Sequence, residues 1–125
     1  MTRRILLVDD ERPLLESMTD FLDAAGYVVG SAQSVDGAQR QLDERGFDVL
    51  IADLSLDEEG REGFDLVRHA RRKQPGIRTI MLTATDTAAA RHEAVRAGVD
   101  TFLLKPQPLA ELVRVVESLF EIKSA

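Results

Sequence analysis

Five side chains that can take part in chemistry each follow a short apolar run of the sequence. They are Asp9, Asp10, Asp53, Thr83 and Lys105. Carboxylates that meet at one small site repel one another and raise their proton affinity, so the cluster needs a cation. Mg²⁺ prefers oxygen ligands and takes one or two carboxylates plus a phosphate oxygen. The residue types therefore predict a magnesium-dependent phosphoryl site.

The same residues suggest how the chemistry is divided among them. We expect Asp10 and Asp53 to bind Mg²⁺, with Asp9 in support, and Lys105 to add a mobile positive charge on the other side. A carboxylate beside these cations is weakly basic but can attack an electrophilic phosphorus, which gives an aspartyl phosphate. The Thr83 hydroxyl would then donate a hydrogen bond to a phosphoryl oxygen.

Each residue taken alone has a plainer interpretation. Asp9 and Asp10, with Glu11 and Pro13 after them, also make a good helix start, because carboxylates complement the helix dipole and proline suits the first turn. An aspartate, a threonine or a Lys-Pro pair at a strand end is often only a loop, strand or turn residue. These interpretations must hold at all five positions together, so we favour the site.

The elements that would position these residues are short apolar runs that alternate five times with stretches of helical period. The strands are predicted at Ile5–Val8, Val28–Ala32, Val49–Ala52, Ile77–Leu82 and Thr101–Leu104. Continuous branched runs are typical of parallel strands buried on both faces. Right-handed crossovers then predict a doubly wound α/β domain, in which ligands lie at the carboxyl ends of the strands.

Apolar residues at helical spacing predict five helices. Their apolar faces are Leu14, Met18, Phe21, Leu22 and Ala25; Val35, Ala38 and Leu42; Phe64, Leu66, Val67 and Ala70; Ala94 and Val95; and Leu109, Leu112, Val113, Val116, Leu119 and Phe120. Glycines that adopt positive φ are predicted to end the first four helices, at Gly26, Gly46, Gly76 and Gly98. The isolated His69 and His92 are expected to face solvent and to have no role.

Composition limits the classes of protein. The 125 residues, 44% hydrophobic and 30% charged, fit a single domain over residues 1–125. The sequence has no cysteine, which excludes disulfides and fits a cytoplasmic protein. No apolar stretch reaches the roughly 20 residues of a membrane helix. The net charge of -6 argues against direct binding of nucleic acid.

The sequence resembles the receiver domains of two-component response regulators, the CheY-like family, over essentially the whole chain. The matching motifs are Ile5–Glu11, Val49–Leu54, Ile80–Ala84 and Thr101–Pro106. The resemblance implies a flavodoxin-like (βα)5 fold with a parallel sheet in the order 2-1-3-4-5 and helices on both faces. It also implies a phosphorelay protein that is not an enzyme but assists its own phosphorylation and dephosphorylation. In such a protein Asp53 accepts a phosphoryl group from a phosphohistidine kinase or a phosphotransfer protein with Mg²⁺.

The resemblance assigns further roles at the metal and phosphoryl site. The backbone carbonyl of Ser55 joins Asp10 and Asp53 as a metal ligand, and Asp9 acts through water. Ser55 and Thr85 tune the lifetime of the phosphoryl group. Both are small and polar, so we expect an ordinary lifetime, and persistence of the phosphoryl group over days would count against this.

The resemblance also implies a switch. Phe102 turns inward when Thr83 moves toward the phosphoryl group, and this reshapes the surface of the fourth helix, fifth strand and fifth helix. Phe102 is alternatively just a good strand residue. A homodimer through the same surface is a further expectation, and Lys105 is expected to precede a cis proline.

One segment departs from the family pattern. The acidic loop at residues 54–63 lacks the usual proline and is longer by a couple of residues than the commonest family pattern. We interpret its carboxylates as a solvated tip, although they would also be able to disfavour some kinases or to alter metal access by local repulsion.

Three other functions remain to be weighed. A phosphohydrolase would need a second acid where Ser55 stands, and a nucleotide module would need glycines or hydroxyls in place of the acidic residues after the first strand. A receiver-like domain that signals by contact alone is the remaining alternative. Whether the chain stands alone or belongs to a longer protein stays open.

Overall fold

The computed structural model describes residues 2–53, 61–84 and 87–120. The elements in chain order are β1 (Arg4–Val8), α1 (Arg12–Ala24), β2 (Val28–Ala32), α2 (Val35–Glu44), β3 (Val49–Asp53), α3 (Arg61–Lys73), β4 (Arg78–Thr83), α4 (Ala88–Ala97), β5 (Thr101–Leu104) and α5 (Leu109–Ser118). The strands form one parallel sheet in the order β2-β1-β3-β4-β5. The predicted doubly wound fold and strand order are confirmed.

The sheet has an apolar layer on each face because successive residues of a strand point to opposite sides. Residues such as Leu7 and Ile51 pack with α1 and α5, and their neighbours Leu6 and Leu50 pack with α2, α3 and α4. Every residue of β3 is buried, as a central strand covered on both faces requires. In the part of the chain that the structure describes, no helix is long and apolar enough to cross a membrane.

Two strand ends differ from the sequence prediction in a way that matters for the site. Asp53 is the last residue of β3 and Thr83 is the last residue of β4, although both were expected to follow their strands. Their side chains are therefore set by the strand ladder, where Asp53 lies opposite Leu82 and Thr83 opposite Leu104. The remaining boundaries differ by no more than one residue, with β1 beginning at Arg4 and β4 at Arg78.

The apolar faces of two helices were partly wrong. In α1 the buried residues are Leu15, Met18 and Leu22, whereas Phe21 is 38% exposed and Ala25 is exposed. Leu14, Met18 and Leu22 of the predicted face do contact the core, whereas the buried Leu15 was not predicted. In α4 the buried residues are Ala94 and Ala97, and Val95 is 77% exposed. The predicted faces of α2, α3 and α5 do contact the core.

Helix ends follow the glycine prediction at two of four positions. Gly26 and Gly98 have φ of 101° and 94°, and Gly98 is the C-cap of α4. Gly46 and Gly76 have no positive φ, so the prediction was wrong there.

A glutamine side chain, rather than a glycine, completes the end of α2. Gln74 Nε2 donates to the carbonyls of Leu42 and Arg45 at 2.9 and 2.8 Å. Its Oε1 accepts from Phe47 N at 2.7 Å. The side chain thus satisfies backbone groups that the helix leaves without partners.

His69 was expected to face solvent, and this prediction was wrong. Its side chain is 17% exposed, and Nε2 lies 3.0 Å from Asp43 Oδ1, which joins α3 to α2. His92 on α4 is exposed, as expected.

Candidate functional site

The predicted site residues meet at the carboxyl edge of the sheet. Asp9 follows β1, Asp53 ends β3, Thr83 ends β4 and Lys105 follows β5. Two backbone hydrogen bonds extend the strand ladder to this edge. Asp9 N donates to Ala32 O at 3.1 Å, and Lys105 N donates to Thr83 O at 2.7 Å. The fold therefore fixes the residues that follow β1 and β5 as well as those within the strands.

Three carboxylates form the acidic part of the site. Asp9, Asp10 and Asp53 each offer an oxygen, and these oxygens all lie within 4.8 Å of one another. Asp9 and Asp53 are 0% and 2% exposed, whereas Asp10 is exposed. The cluster thus has a buried floor and a carboxylate at its solvent side.

Lys105 supplies a cation to the two buried carboxylates. Its Nζ lies 2.9 Å from Asp53 Oδ2 and 3.4 Å from Asp9 Oδ2, and the lysine side chain is 18% exposed. Burial lowers the pKa of Lys105, but the hydrogen bond and charge of Asp53 together with those of Asp9 outweigh it, so the pKa is raised. The ammonium therefore stays charged. The Lys105–Pro106 peptide bond is cis, as expected from the resemblance.

The surroundings of Asp9 raise the pKa of its carboxyl group. Burial raises its pKa against the lowering effects of the Glu11 amide and of Lys105, and the charge of Asp53 raises it further. Asp9 Oδ1 accepts from Glu11 N at 2.9 Å, and the residue at the N-cap of α1 is Glu11, whose side chain makes no capping hydrogen bond. Neither Asp9 nor Asp10 is therefore the N-cap of α1, although one oxygen of Asp9 accepts a hydrogen bond from the amide of the N-cap residue.

The donor set suits a hard divalent cation. Three carboxylates and one ammonium leave a surplus of two negative charges, which is the charge that one such ion neutralises. All the donors are oxygen, and an exposed member gives access from solvent. Mg²⁺ prefers this chemistry and keeps several waters when it binds to a few carboxylates. The residues present therefore fit a Mg²⁺ site.

Thr83 and Phe102 share one face of the sheet. Phe102 lies opposite Met81, and Thr83 is two residues beyond Met81 on the same strand, so all three point to the same side. Thr83 is 2% exposed, and Phe102 is half-buried against the apolar core on the side of the sheet where α4 packs. The guanidinium of Arg91 on α4 lies over the Phe102 ring, with Cζ 5.2 Å from the centroid. Sequence reasoning did not identify Arg91, because no spacing rule relates it to a residue on a strand.

Ser55 and Thr85 lie outside the described residues, as does most of the acidic loop. Their expected roles stay predictions.

Comparison with known proteins identifies the family. Residues 5–117 match the response regulator receiver domain. The chain belongs to this family. It is thus a receiver domain of the two-component response regulators, with an acidic pocket at the carboxyl edge of its sheet.

A similar protein of known function is a transcriptional regulator. This receiver domain is 35% identical over 103 residues to the alginate biosynthesis transcriptional regulatory protein AlgB of Pseudomonas putida. The match covers 82% of this chain and 22% of AlgB, so the chain spans less than a quarter of that relative's length.

Two solved structures resemble the receiver domain closely. A CheY-like receiver domain protein from Methanospirillum hungatei has a TM-score of 0.88 and 26% identity, with coverage of 95% of this chain and 94% of that one. A response regulator protein from Burkholderia pseudomallei has a TM-score of 0.81 and 25% identity, with coverage of 96% and 75%. The second structure carries a phosphorylated aspartic acid, a calcium ion and citrate.

Proposed function

We propose that Asp53 accepts a phosphoryl group from a phosphohistidine donor, and that residues 1–125 form a single receiver domain of a phosphorelay. One observation carries the proposal: Asp53 is a buried carboxylate held 2.9 Å from Lys105 Nζ, with two further carboxylates within 4.8 Å. A carboxylate in that setting is a nucleophile whose product gains charge beside a cation. The phosphorylated aspartic acid in the similar Burkholderia pseudomallei structure supports this chemistry.

In the proposed transfer, Asp53 forms an O–P bond while the N–P bond of the donor histidine breaks. The imidazole nitrogen leaves with the bonding electron pair and takes up a proton from solvent. Asp10, Asp53 and the carbonyl of Ser55 would hold Mg²⁺, with Asp9 acting through water; the ion supplies positive charge for the phosphoryl oxygens. Lys105 would stabilise the charge on the opposite side, where its Nζ already lies 2.9 Å from Asp53 Oδ2.

The proposed output is a change on the α4–β5–α5 surface. Thr83 would turn toward the phosphoryl group and donate its hydroxyl, and Phe102 would move inward on the same face of the sheet. Ser55 and Thr85 would set how fast water removes the phosphoryl group. This links a local charge to a distant surface through a two-state element.

A homodimer through this surface is part of the proposal. The surface carries Val95, which is 77% exposed, and Leu104, which is 37% exposed, beside the half-buried Phe102. Sedimentation with beryllofluoride and Mg²⁺ should show association that Val95→Asp abolishes, whereas an unchanged monomer in both states would contradict the dimer.

The proposed partners are a histidine kinase or a phosphotransfer protein, and the proposed location is the cytoplasm. The chain has no cysteine, which fits a reducing compartment. The net charge of -6 gives this domain no general attraction for nucleic acid.

Intact mass after incubation with a small-molecule phosphodonor and Mg²⁺ tests the proposal. We expect one phosphoryl adduct that disappears with a chelator and in Asp53→Asn. Asp20→Asn, which removes an exposed carboxylate on α1, is the matched control and should be modified like the natural protein. If the natural protein gains no adduct while a known receiver does, the chain signals by contact alone.

A further inference from the structure

A cation lies over the ring of Phe102. Arg91 belongs to the first turn of α4, and its Cζ lies 5.2 Å from the ring centroid. A guanidinium within about 6 Å of a ring face is attracted by the ring quadrupole. The contact joins α4 to β5, the two elements between which Phe102 would have to move.

We propose that Arg91 is a latch that holds the Phe102 ring in the position seen in this structure and so opposes the phosphorylated state. The inference rests on the proposed function, because it requires Phe102 to move inward when Thr83 engages a phosphoryl group. Phe102 and Thr83 lie on one face of the sheet, and in the proposed switch the ring leaves Arg91 when it moves toward Thr83. The attraction is therefore present in one state and absent in the other, and it shifts the equilibrium between them.

The size of the effect follows from the exposure of the contact. A cation over a ring at an exposed site changes an equilibrium constant a few-fold. We expect a change of about two- to fivefold in the equilibrium between the two positions of Phe102. Arg91 is exposed and Phe102 is half-buried, so the lower part of the general range for such contacts applies. Loss of the guanidinium should therefore raise the affinity for a phosphoryl mimic by about two- to fivefold.

Calorimetric titration with beryllofluoride in Mg²⁺ tests the latch. The variants are Arg91→Gln, which removes the cation and keeps a helix-forming side chain, and Arg91→Lys, which keeps a cation. Arg96→Gln is the matched control, because Arg96 is an exposed arginine in the last turn of the same helix. The titrations are run at a protein concentration where sedimentation shows a monomer in both states, so that self-association does not enter.

A second readout follows the contact itself. In the metal-free natural protein, the ring current of Phe102 should shift the side-chain proton resonances of Arg91, and beryllofluoride should abolish that shift. A purely structural role for Arg91 would leave the shift in place when the mimic binds.

The outcomes separate the latch from the proposed function. Tighter mimic binding by Arg91→Gln, unchanged binding by Arg96→Gln and intermediate binding by Arg91→Lys would support the latch. Equal affinity in Arg91→Gln and the natural protein would overturn the latch and leave the proposed function intact. Failure of the natural protein to bind the mimic would overturn both.

Discussion

Replacing Lys105 by methionine should destabilise the metal-free protein through the two buried carboxylates. Its Nζ lies 2.9 Å from Asp53 Oδ2 and 3.4 Å from Asp9 Oδ2, and the two aspartate side chains are 3% and 1% exposed. With an effective dielectric constant of about 20, the closer pair attracts by about 6 kcal/mol before the cost of desolvation. The methionine keeps the apolar stem but leaves both carboxylates without this cation.

Protonation of a carboxylate limits how much the free energy of unfolding can fall in Lys105→Met. A carboxylate that loses its partner can take up a proton at pH 7, which costs about 4 kcal/mol for an ordinary carboxyl pKa near 4. The lysine is 18% exposed, so water screens part of the attraction, and removing it also removes its own desolvation cost. We therefore expect Lys105→Met to lower the free energy of unfolding by about 2 to 3 kcal/mol.

A double-mutant cycle isolates the contact with Asp53. In an Asp53→Asn background, the same lysine replacement should cost only about 1 kcal/mol, because the longer contact with Asp9 is all that remains of the two pairs. Urea unfolding at pH 7 with a chelator gives the four free energies. Lys73→Met is the control: its pair with Asp43 spans 3.7 Å at side-chain exposures of 54% and 45%, so its loss should change stability by less than about 0.5 kcal/mol. Equal costs of Lys105→Met in both backgrounds would show that the contact with Asp53 contributes nothing to stability.

Three further predictions concern the metal, the end of α2 and a glycine. Asp10→Asn should weaken Mg²⁺ binding by about tenfold or more in calorimetry, yet leave the metal-free protein at least as stable, because one of three mutually repelling carboxylates is gone; a less stable protein would contradict this. Gln74→Ala should lower the free energy of unfolding in urea by about 2 to 3 kcal/mol because three backbone groups lose a partner, whereas Gln33→Ala at an exposed position should change stability little. Equal effects of the two replacements would show that the Gln74 hydrogen bonds do not stabilise the end of α2. Gly98→Ala should lower the thermal midpoint, because φ is 94° and a Cβ would lie 2.6 Å from Arg71 Cδ, whereas Gly46→Ala meets nothing within 4 Å and should be close to neutral.

The sheet was predictable because its strands are short, apolar and buried on both faces. Val49 to Ala52 reads as a continuous apolar run, and the chain indeed covers that strand on both sides. Parallel topology then places the residues at strand ends along one edge. Asp53 and Lys105 needed no other signal to be expected near each other, although 52 positions separate them.

Details that depend on which side of a helix meets the core were less predictable. Phe21 and Val95 are apolar and lie beside the buried stripes of their helices, so periodicity could not separate them from core residues. Their exposure is decided by how each helix is rotated on the sheet, which is a property of the packed molecule. Apolar residues are common on protein surfaces, so hydrophobicity alone does not show burial.

Contacts made by single side chains across elements had no signal in the sequence. Gln74 directly follows α3, and its side chain bonds the backbone at the end of α2. It replaces the glycine cap that Gly46 was expected to provide. His69 is held by Asp43 in the same way, between α3 and α2. Arg91 lies over Phe102 because α4 packs against the face of the sheet that carries Phe102. Such pairs combine residues that no local pattern relates.

The most direct measurement is to identify which carboxylate carries the phosphoryl group. After phosphorylation in Mg²⁺, borohydride reduces an aspartyl phosphate to homoserine, and peptide mass spectrometry identifies the position of the conversion. We expect homoserine at position 53 and aspartate at positions 9 and 10, although all three carboxylates lie together in the same cluster. Homoserine at Asp9 or Asp10, or reduction at position 53 that persists when a chelator replaces Mg²⁺, would contradict it.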